Sequence, residues 1–384
     1  MSLKLTILFL ELHDNYSDTG GSGVTISFTY DEAGRIISIT DETGNSTTIS
    51  YDALDNILST TDPLGHSKYF TYDSYGNKLT ETDFNGNTTF YTYNGNDKLT
   101  SKKDALGYIT TFEYDGEDRI IKTTDPLGHS IAYTYDAAGY LTGLTDALGN
   151  TVTTQYDPNG NITGIVDAKG NTLITNNYNN LNQLVSISDA LGNTTRQEYD
   201  VLGNLDKFTD PKSRVSILNY DPMNRLILVV DPMSGTSSQT FDAEGRRLSL
   251  IDPNNNQQTF VYDQAGRLIS QKDAAGNTLT IEYDNLGLRK SLINARGQQS
   301  SYQYDAVGNL IKLSYPDGKE VNYQYDAANR LIRVTDWASR VTSYQYDANN
   351  RLTRTDRPDG SVLTFTYDAA GQLLQQKDMD KAAT

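Results

Sequence analysis

The aspartates are the side chains of this sequence that most readily suggest chemistry. They recur in two settings about ten residues apart. One follows an aromatic, as in Tyr135-Asp136-Ala137-Ala138-Gly139; the other opens Asp-x-x-Gly-Asn, as in Asp146-Ala147-Leu148-Gly149-Asn150. Paired carboxylates perform acid–base catalysis when their surroundings separate the two pKa values and so assign one as acid and one as base. Here the first Asp recurs in 15 copies and the second in 14, so repetition distinguishes no pair and no catalytic residue is expected. Columns of Asp could instead hold Ca²⁺, which takes several oxygen ligands. Their spacing matches neither an EF-hand loop nor a Gly-rich calcium nonapeptide, and turn formation accounts for each Asp. The expectation is therefore no cofactor and no metal site, with Ca²⁺ the one candidate ion.

The rarer residues add little chemistry. There are no Cys and three His, which removes disulfides and thiolate metal sites and leaves the redox compartment open. His66 and His129 occupy matching turn positions where Asn is usual, and read as turn substitutions. Tyr and Trp rings can stack on sugars, but a Tyr whose face is covered is needed for packing. Trp337, in Asp336-Trp337-Ala338-Ser339, reads as an exposed aromatic rather than a ligand platform.

The elements that position these residues form one repeating unit. Its leading aromatic returns at Tyr30, Tyr51, Tyr72, Tyr93, Tyr114, Tyr135, Tyr156, Tyr178, Tyr199, Tyr220, Phe241, Tyr262, Tyr283, Tyr304, Tyr325, Tyr346 and Tyr367. The step is 21 residues, apart from one step of 22 between Tyr156 and Tyr178. Seventeen copies at one period mean a repeat array whose stability comes from neighbour contacts. In each turn Asp can accept a backbone N–H two residues on, and the fifth residue of the unit closes the hairpin with positive φ. That residue is Gly in ten copies, Gly34, Gly76, Gly139, Gly266 and Gly308 among them, and otherwise Asp55, Asp97, Asp118, Asn182, Asn224, Asn329 or Asn350. These residue types tolerate the left-handed region best, so the constraint reads as backbone geometry rather than chemistry.

Between the turns the spacing predicts two strands of about six or seven residues. An aromatic sits two residues before the leading one in many copies, as at Phe28, Tyr91 and Tyr323, and Leu or Ile lies six residues after it in 14 of 17. Stacked copies are expected to bury aromatic and aliphatic ladders at roughly 1.5 to 3 kcal/mol per side chain. The extra residue between Asp167 and Tyr178 predicts a β-bulge within 168–177. The fold class expected is all-β: about 17 antiparallel β-hairpins in a continuous curved or spiralling sheet, a partial shell. Thirty-four strands at ~4.8 Å would run ~160 Å, or one turn of a shell ~50 Å across.

Residues 1–23 stand outside the register as an N-terminal extension, with a candidate strand over 3–12, and residues 24–384 form the repeat region. Met1 to Leu10 is too short in its apolar run for a recognised signal peptide, and far too short for a membrane span. The net charge of −17 argues against nucleic acid. It is uneven: residues 1–192 carry −15 and residues 193–384 carry −2.

On the motif Tyr-Asp-x-x-Gly-[Asn/Arg]-Leu followed by Asp-x-x-Gly-Asn, residues 24–384 resemble the Rhs or YD-repeat family of Rhs toxins, toxin-complex C components, wall-associated proteins and teneurins. The resemblance implies a β-strip spiralling into a hollow shell that encloses or presents a polypeptide cargo. It also implies neighbouring shell segments and carbohydrate as partners, and a secreted or cell-surface bacterial setting. Family toxins carry a core-closing segment and an aspartyl self-cleavage site after the repeats. Nothing after Tyr367 matches these, and Asp62-Pro63-Leu64-Gly65 and Asp125-Pro126-Leu127-Gly128 are ordinary turns. The expected function is a non-enzymatic structural scaffold; the alternative is a surface adhesin or carbohydrate-binding repeat module.

Overall fold

Asp-x-x-Gly turns reverse the chain every ten or eleven residues, and short alternating segments between them can pair only with the segments before and after. A computed structural model describes residues 26–379; the extension over 1–23 and its candidate strand lie outside them. Thirty-four strands, β1 (Ser27–Tyr30) to β34 (Leu373–Met379), follow in chain order, and each pairs antiparallel with the next. There is no helix among the described residues. Strands entering a leading aromatic mostly have six residues and those leaving the turn after it mostly five, slightly shorter than the spacing suggested.

All turns after a leading aromatic lie along one margin of the strip, here the first margin. The Asp-x-x-Gly-Asn turns and their variants lie along the second. The two kinds of strand junction differ. Within a repeat, β1 and β2 (Ile36–Thr40) pair as Phe28↔Ile39 and Thr29↔Ser38; the register then shifts, Tyr30 faces Ile36, and Ile37 is the extra residue. Other first-turn hairpins repeat that bulge. Between repeats, β2 and β3 (Ser46–Tyr51) pair over Ser38↔Thr48, Ile39↔Thr47 and Thr40↔Ser46, all near the second margin. Neighbouring repeats therefore part towards the first margin. The long repeat places its additional residue at Leu173, unmatched between β14 (Ile162–Val166) and β15 (Thr172–Tyr178).

One layer of sheet has nothing to close over its side chains. The chain exposes 23966 Å², where a compact monomer of this length would expose about 15,000 Å². Among the described residues only Ile281 and Val321 are fully covered apolar side chains. The expectation of buried ladders is thus corrected: the rings are half-covered by their neighbours along the strip, and each gains a fraction of the roughly 1.5 to 3 kcal/mol of full burial.

The coil is also tighter than one wide turn. Asn349 Nδ2 donates to Asp104 Oδ2 at 2.6 Å. Asp104 belongs to the repeat led by Tyr93 and Asn349 to that led by Tyr346, twelve repeats later. The 23 strands from β9 (Ile109–Tyr114) to β31 (Val341–Tyr346) that separate the two turns make ~110 Å of circumference and a coil ~35 Å across. The strip accordingly passes a full turn and overlaps itself. A bulge in each repeat, with its added twist, accounts for the tightening.

Candidate functional site: the margins of the strip

Each turn is built around its Asp. Asp146 Oδ1 accepts the N–H groups of Leu148 (2.9 Å) and Asn150 (2.8 Å), Oδ2 accepts Asn150 Nδ2 (2.9 Å), and the Gly149 N–H closes the turn on the Asp146 carbonyl (3.0 Å). On the first margin Asp221 accepts Met223 N, Arg225 N and Arg225 Nε in the same way. His66 and His129 place Nδ1 against Asp62 and Asp125 as Asn does elsewhere. At Asp146, Asp221 and Asp115 such bonds favour the charged carboxylate. The side-chain bond from Asn150 foremost lowers Asp146, that from Arg225 lowers Asp221, and the backbone bond from Arg119 lowers Asp115. In such turns both carboxylate oxygens are already engaged. Among the described residues no cluster of three or more His, Cys, Asp or Glu is arranged to hold a metal ion.

Gly34, Gly76, Gly139, Gly266 and Gly308 close their turns with φ between 79° and 90°. The seven Asp and Asn residues at the same position have φ between 59° and 67°. They do more than tolerate that conformation. Each accepts a hydrogen bond or ion pair from the preceding repeat: Asp55 from Arg35, Asp97 from Asn77, Asp118 from Asn96 and Lys98, Asn182 from Asn161, Asn224 from Asn204, Asn329 from Asn309 and Asn350 from Arg330. The reading of these positions as backbone geometry alone is corrected accordingly. On the second margin, Ser213, Ser234 and Ser339 take the left-handed position, with φ from 58° to 66°.

The leading tyrosines stand where neighbouring repeats part. Tyr51 Oη donates to the Ile36 carbonyl, 15 residues back in the previous repeat, at 2.9 Å. Tyr114, Tyr135, Tyr262, Tyr283, Tyr304, Tyr325, Tyr346 and Tyr367 make the same bond to residues 99, 120, 247, 268, 289, 310, 331 and 352. Tyr72 is half-buried at the equivalent place, and Tyr30, in the first repeat, is exposed. Phe241 has no hydroxyl to give; there Gln239 Nε2 donates to the corresponding carbonyl, that of Leu226, at 2.6 Å. The need is for a donor to that carbonyl, which the Tyr-Asp motif conceals. Arginines complete the stitching: Arg225 Nη1 reaches the Asp242 carbonyl at 2.7 Å while its guanidinium lies 4.9 Å over the Phe241 ring. Arg35, Arg267 and Arg351 lie likewise over Tyr51, Tyr283 and Tyr367. Such a cation over an exposed ring contributes about 0.5 to 1 kcal/mol.

Where the coil overlaps, the first margin of late repeats covers the second margin of early ones. Leu286, Val307, Ala328, Asn349 and Ala370 at the late tips are half-buried. Beneath them Leu64, Leu106 and Leu127 are 45%, 41% and 44% exposed, whereas Leu148, Leu191 and Met233, further along the same margin, are 87%, 87% and 90% exposed. Asn85 Nδ2, in that covered row, is buried without a partner. Elsewhere on the second margin an open groove of about 410 Å³ is lined by Asp317, Lys319, Glu320, Asn322 and Trp337. Lys319 Nζ and the Arg340 guanidinium lie 5.5 and 5.7 Å from the Trp337 ring centre.

This geometry can be set beside known proteins. The family model for the Teneurin YD-shell matches residues 70–232 and 168–291, more than half of the chain. The chain belongs to the YD-shell family. The RHS Repeat model matches this YD-shell strip at 17–48, 51–88, 283–320, 304–341, 325–362 and 346–380. A search of curated proteins returned no match. Among solved structures, the strip is similar to a crystal structure of TcdB2-TccC3-Cdc42 (16% identity, TM-score 0.78, 93% of this chain and 23% of that one). It is similar also to TcdB2-TccC3 without its hypervariable C-terminal region (16%, 0.74, 92% and 22%). A third is a Tc holotoxin pore from Photorhabdus luminescens (16%, 0.56, 94% and 24%). At that identity the likeness is one of fold. The chain spans under a quarter of each of those chains.

Proposed function

We propose that this chain is a non-enzymatic wall segment of a bacterial, secreted or cell-surface YD-shell that encloses or presents a polypeptide cargo. The observation that carries the reading is the overlap of the strip on itself twelve repeats on, because a strip that seals against its own margin forms a wall. In this reading the leading tyrosines and turn glycines serve the wall, and residues 24–384 form one repeat region behind an extension over 1–23. Partners are neighbouring shell segments and the cargo. No described helix is long and apolar enough to cross a membrane. To test it, the chain is co-expressed with the polypeptide encoded beside it and treated with protease. Protection of that polypeptide supports enclosure or tight presentation; digestion at the rate of the free polypeptide overturns both.

The groove beside Trp337 favours a second reading, a carbohydrate-binding module. Cations over that ring compete with a stacked sugar. Glycan-array binding that is lost in Trp337→Ala, without cargo protection, would replace the first reading by the second.

A further inference from the structure

We propose that the free margins form a docking surface for a second copy of this chain, which adds head to tail and continues the spiral. The intramolecular overlap shows what such a contact does: a first margin laid on a second halves the exposure of the leucine at its turn tips. The same tip sequence continues past the overlap. Ala147-Leu148, Ala190-Leu191 and Pro232-Met233 repeat the pattern of Pro63-Leu64, Ala105-Leu106 and Pro126-Leu127, yet their large side chains stand at 87% exposure or more. The opposite margin, on the early repeats, offers apolar tips of its own at Leu54, Tyr75, Leu181 and Val201. Apolar tips recur on both free margins, alternating with Lys169 and Lys212 on the second and with Asn96 and Glu117 on the first, and are the parts of one interface, found in its closed form within the chain.

Charge sets the direction. Residues 1–192 carry −15 and residues 193–384 carry −2. Head-to-tail addition lays the acidic early repeats, with Asp97 among their tips, over late second-margin turns that carry Lys212 and Arg296; Arg214 and Arg340 on that margin are paired with Asp210 and Asp336 of their own turns. A face-to-face dimer of early repeats would oppose like charges. The head-to-tail contact is heterologous, so it generates an open series rather than a closed dimer.

The test is sedimentation velocity of the full chain up to about 100 μM, where a micromolar Kd shows. The expected result is a concentration-dependent series of dimer, trimer and larger species, weakened by salt. Leu191→Glu blocks one face and Tyr75→Glu the other; both sites are exposed, and each variant alone should be monomeric with an unchanged melt. An equimolar mixture of the two variants should yield dimers and nothing larger, since each retains one intact face. A monomer throughout, a series that stops at two in the parent, or variants that associate as the parent does would each overturn the proposal.

Discussion

The two margins of the strip are made from the same five-residue turn but are joined to their neighbours differently. On the second margin, strands of adjacent repeats pair up to the turn, and the ladder itself holds repeat to repeat. On the first margin the repeats part, and side chains take over: a Tyr hydroxyl reaches back to the previous repeat, an Arg or Asn reaches forward, and an Asp or Asn accepts it. The difference explains why one turn follows an aromatic and the other need not. It also locates the curvature. A bulge and a ring on one margin, against a plain ladder on the other, make a strip that coils.

The largest effect that separates the margins should be that of pH. Turn carboxylates on each margin, Asp115 and Asp221 on the first and Asp146 and Asp167 on the second, are held below their ordinary values by donated hydrogen bonds. A depressed pKa contributes stability that is present above the unfolded value of about 3.9 and lost as pH falls through the folded one. Circular dichroism should therefore show both margins failing together below about pH 4. Alkali should act on the first margin alone. Burial raises Tyr51, Tyr199 and Tyr220, and pushes Tyr91, on the neighbouring position, up to about 12. A raised pKa contributes stability that is present below the unfolded value of about 10 and lost as pH rises through the folded one. Hydrogen exchange at pH 11 that opened both margins equally would break the comparison.

Next in size come the turns themselves. Gly266 has φ 79° and Gly276 φ 84°, one on each margin. Val at either should cost about 1 to 3 kcal/mol in denaturant unfolding, because a β-branched residue resists positive φ. Equal costs match the shared geometry; a tolerated Val would remove the turn assignment on that margin. A smaller effect isolates the stitching. Gln239→Leu should cost about 1 kcal/mol by leaving the Leu226 carbonyl without its donor. Phe241→Tyr should restore the loss in the double variant, and a failure to restore it would mean that the ring matters and the hydroxyl does not. Smallest is the overlap: Asn349→Ala should lower stability by about 0.5 kcal/mol, while Asn180→Ala, at an uncovered tip, should change nothing.

The period, the turns, the strand order and the bulge near Leu173 were all legible in the sequence, because each depends on residues within one repeat of one another. What lay further apart was not. The coil diameter follows from small twists summed over twelve repeats, and no local pattern encodes the sum. The tips that close the overlap, Leu286, Val307, Ala328, Asn349 and Ala370, are uncharged, unlike Glu117 or Glu244, but that contrast acquires meaning only once their partners are known. Asp55 and Asn350 looked like glycine substitutes because φ tolerance is an intrinsic preference, whereas their second role depends on a donor 20 residues earlier. The ladders looked buried because alternation marks a face of a sheet without saying whether anything covers it.

The central claim is that the strip overlaps itself twelve repeats on, and a distance between the two margins tests it. The chain contains no Cys, so spin labels on Ala105→Cys and Ala348→Cys would be the only two. Pulsed dipolar spectroscopy should give a distance of about 20 Å if the strip coils as described, and no distance under about 60 Å if it is open, since the 23 intervening strands laid flat would span ~110 Å.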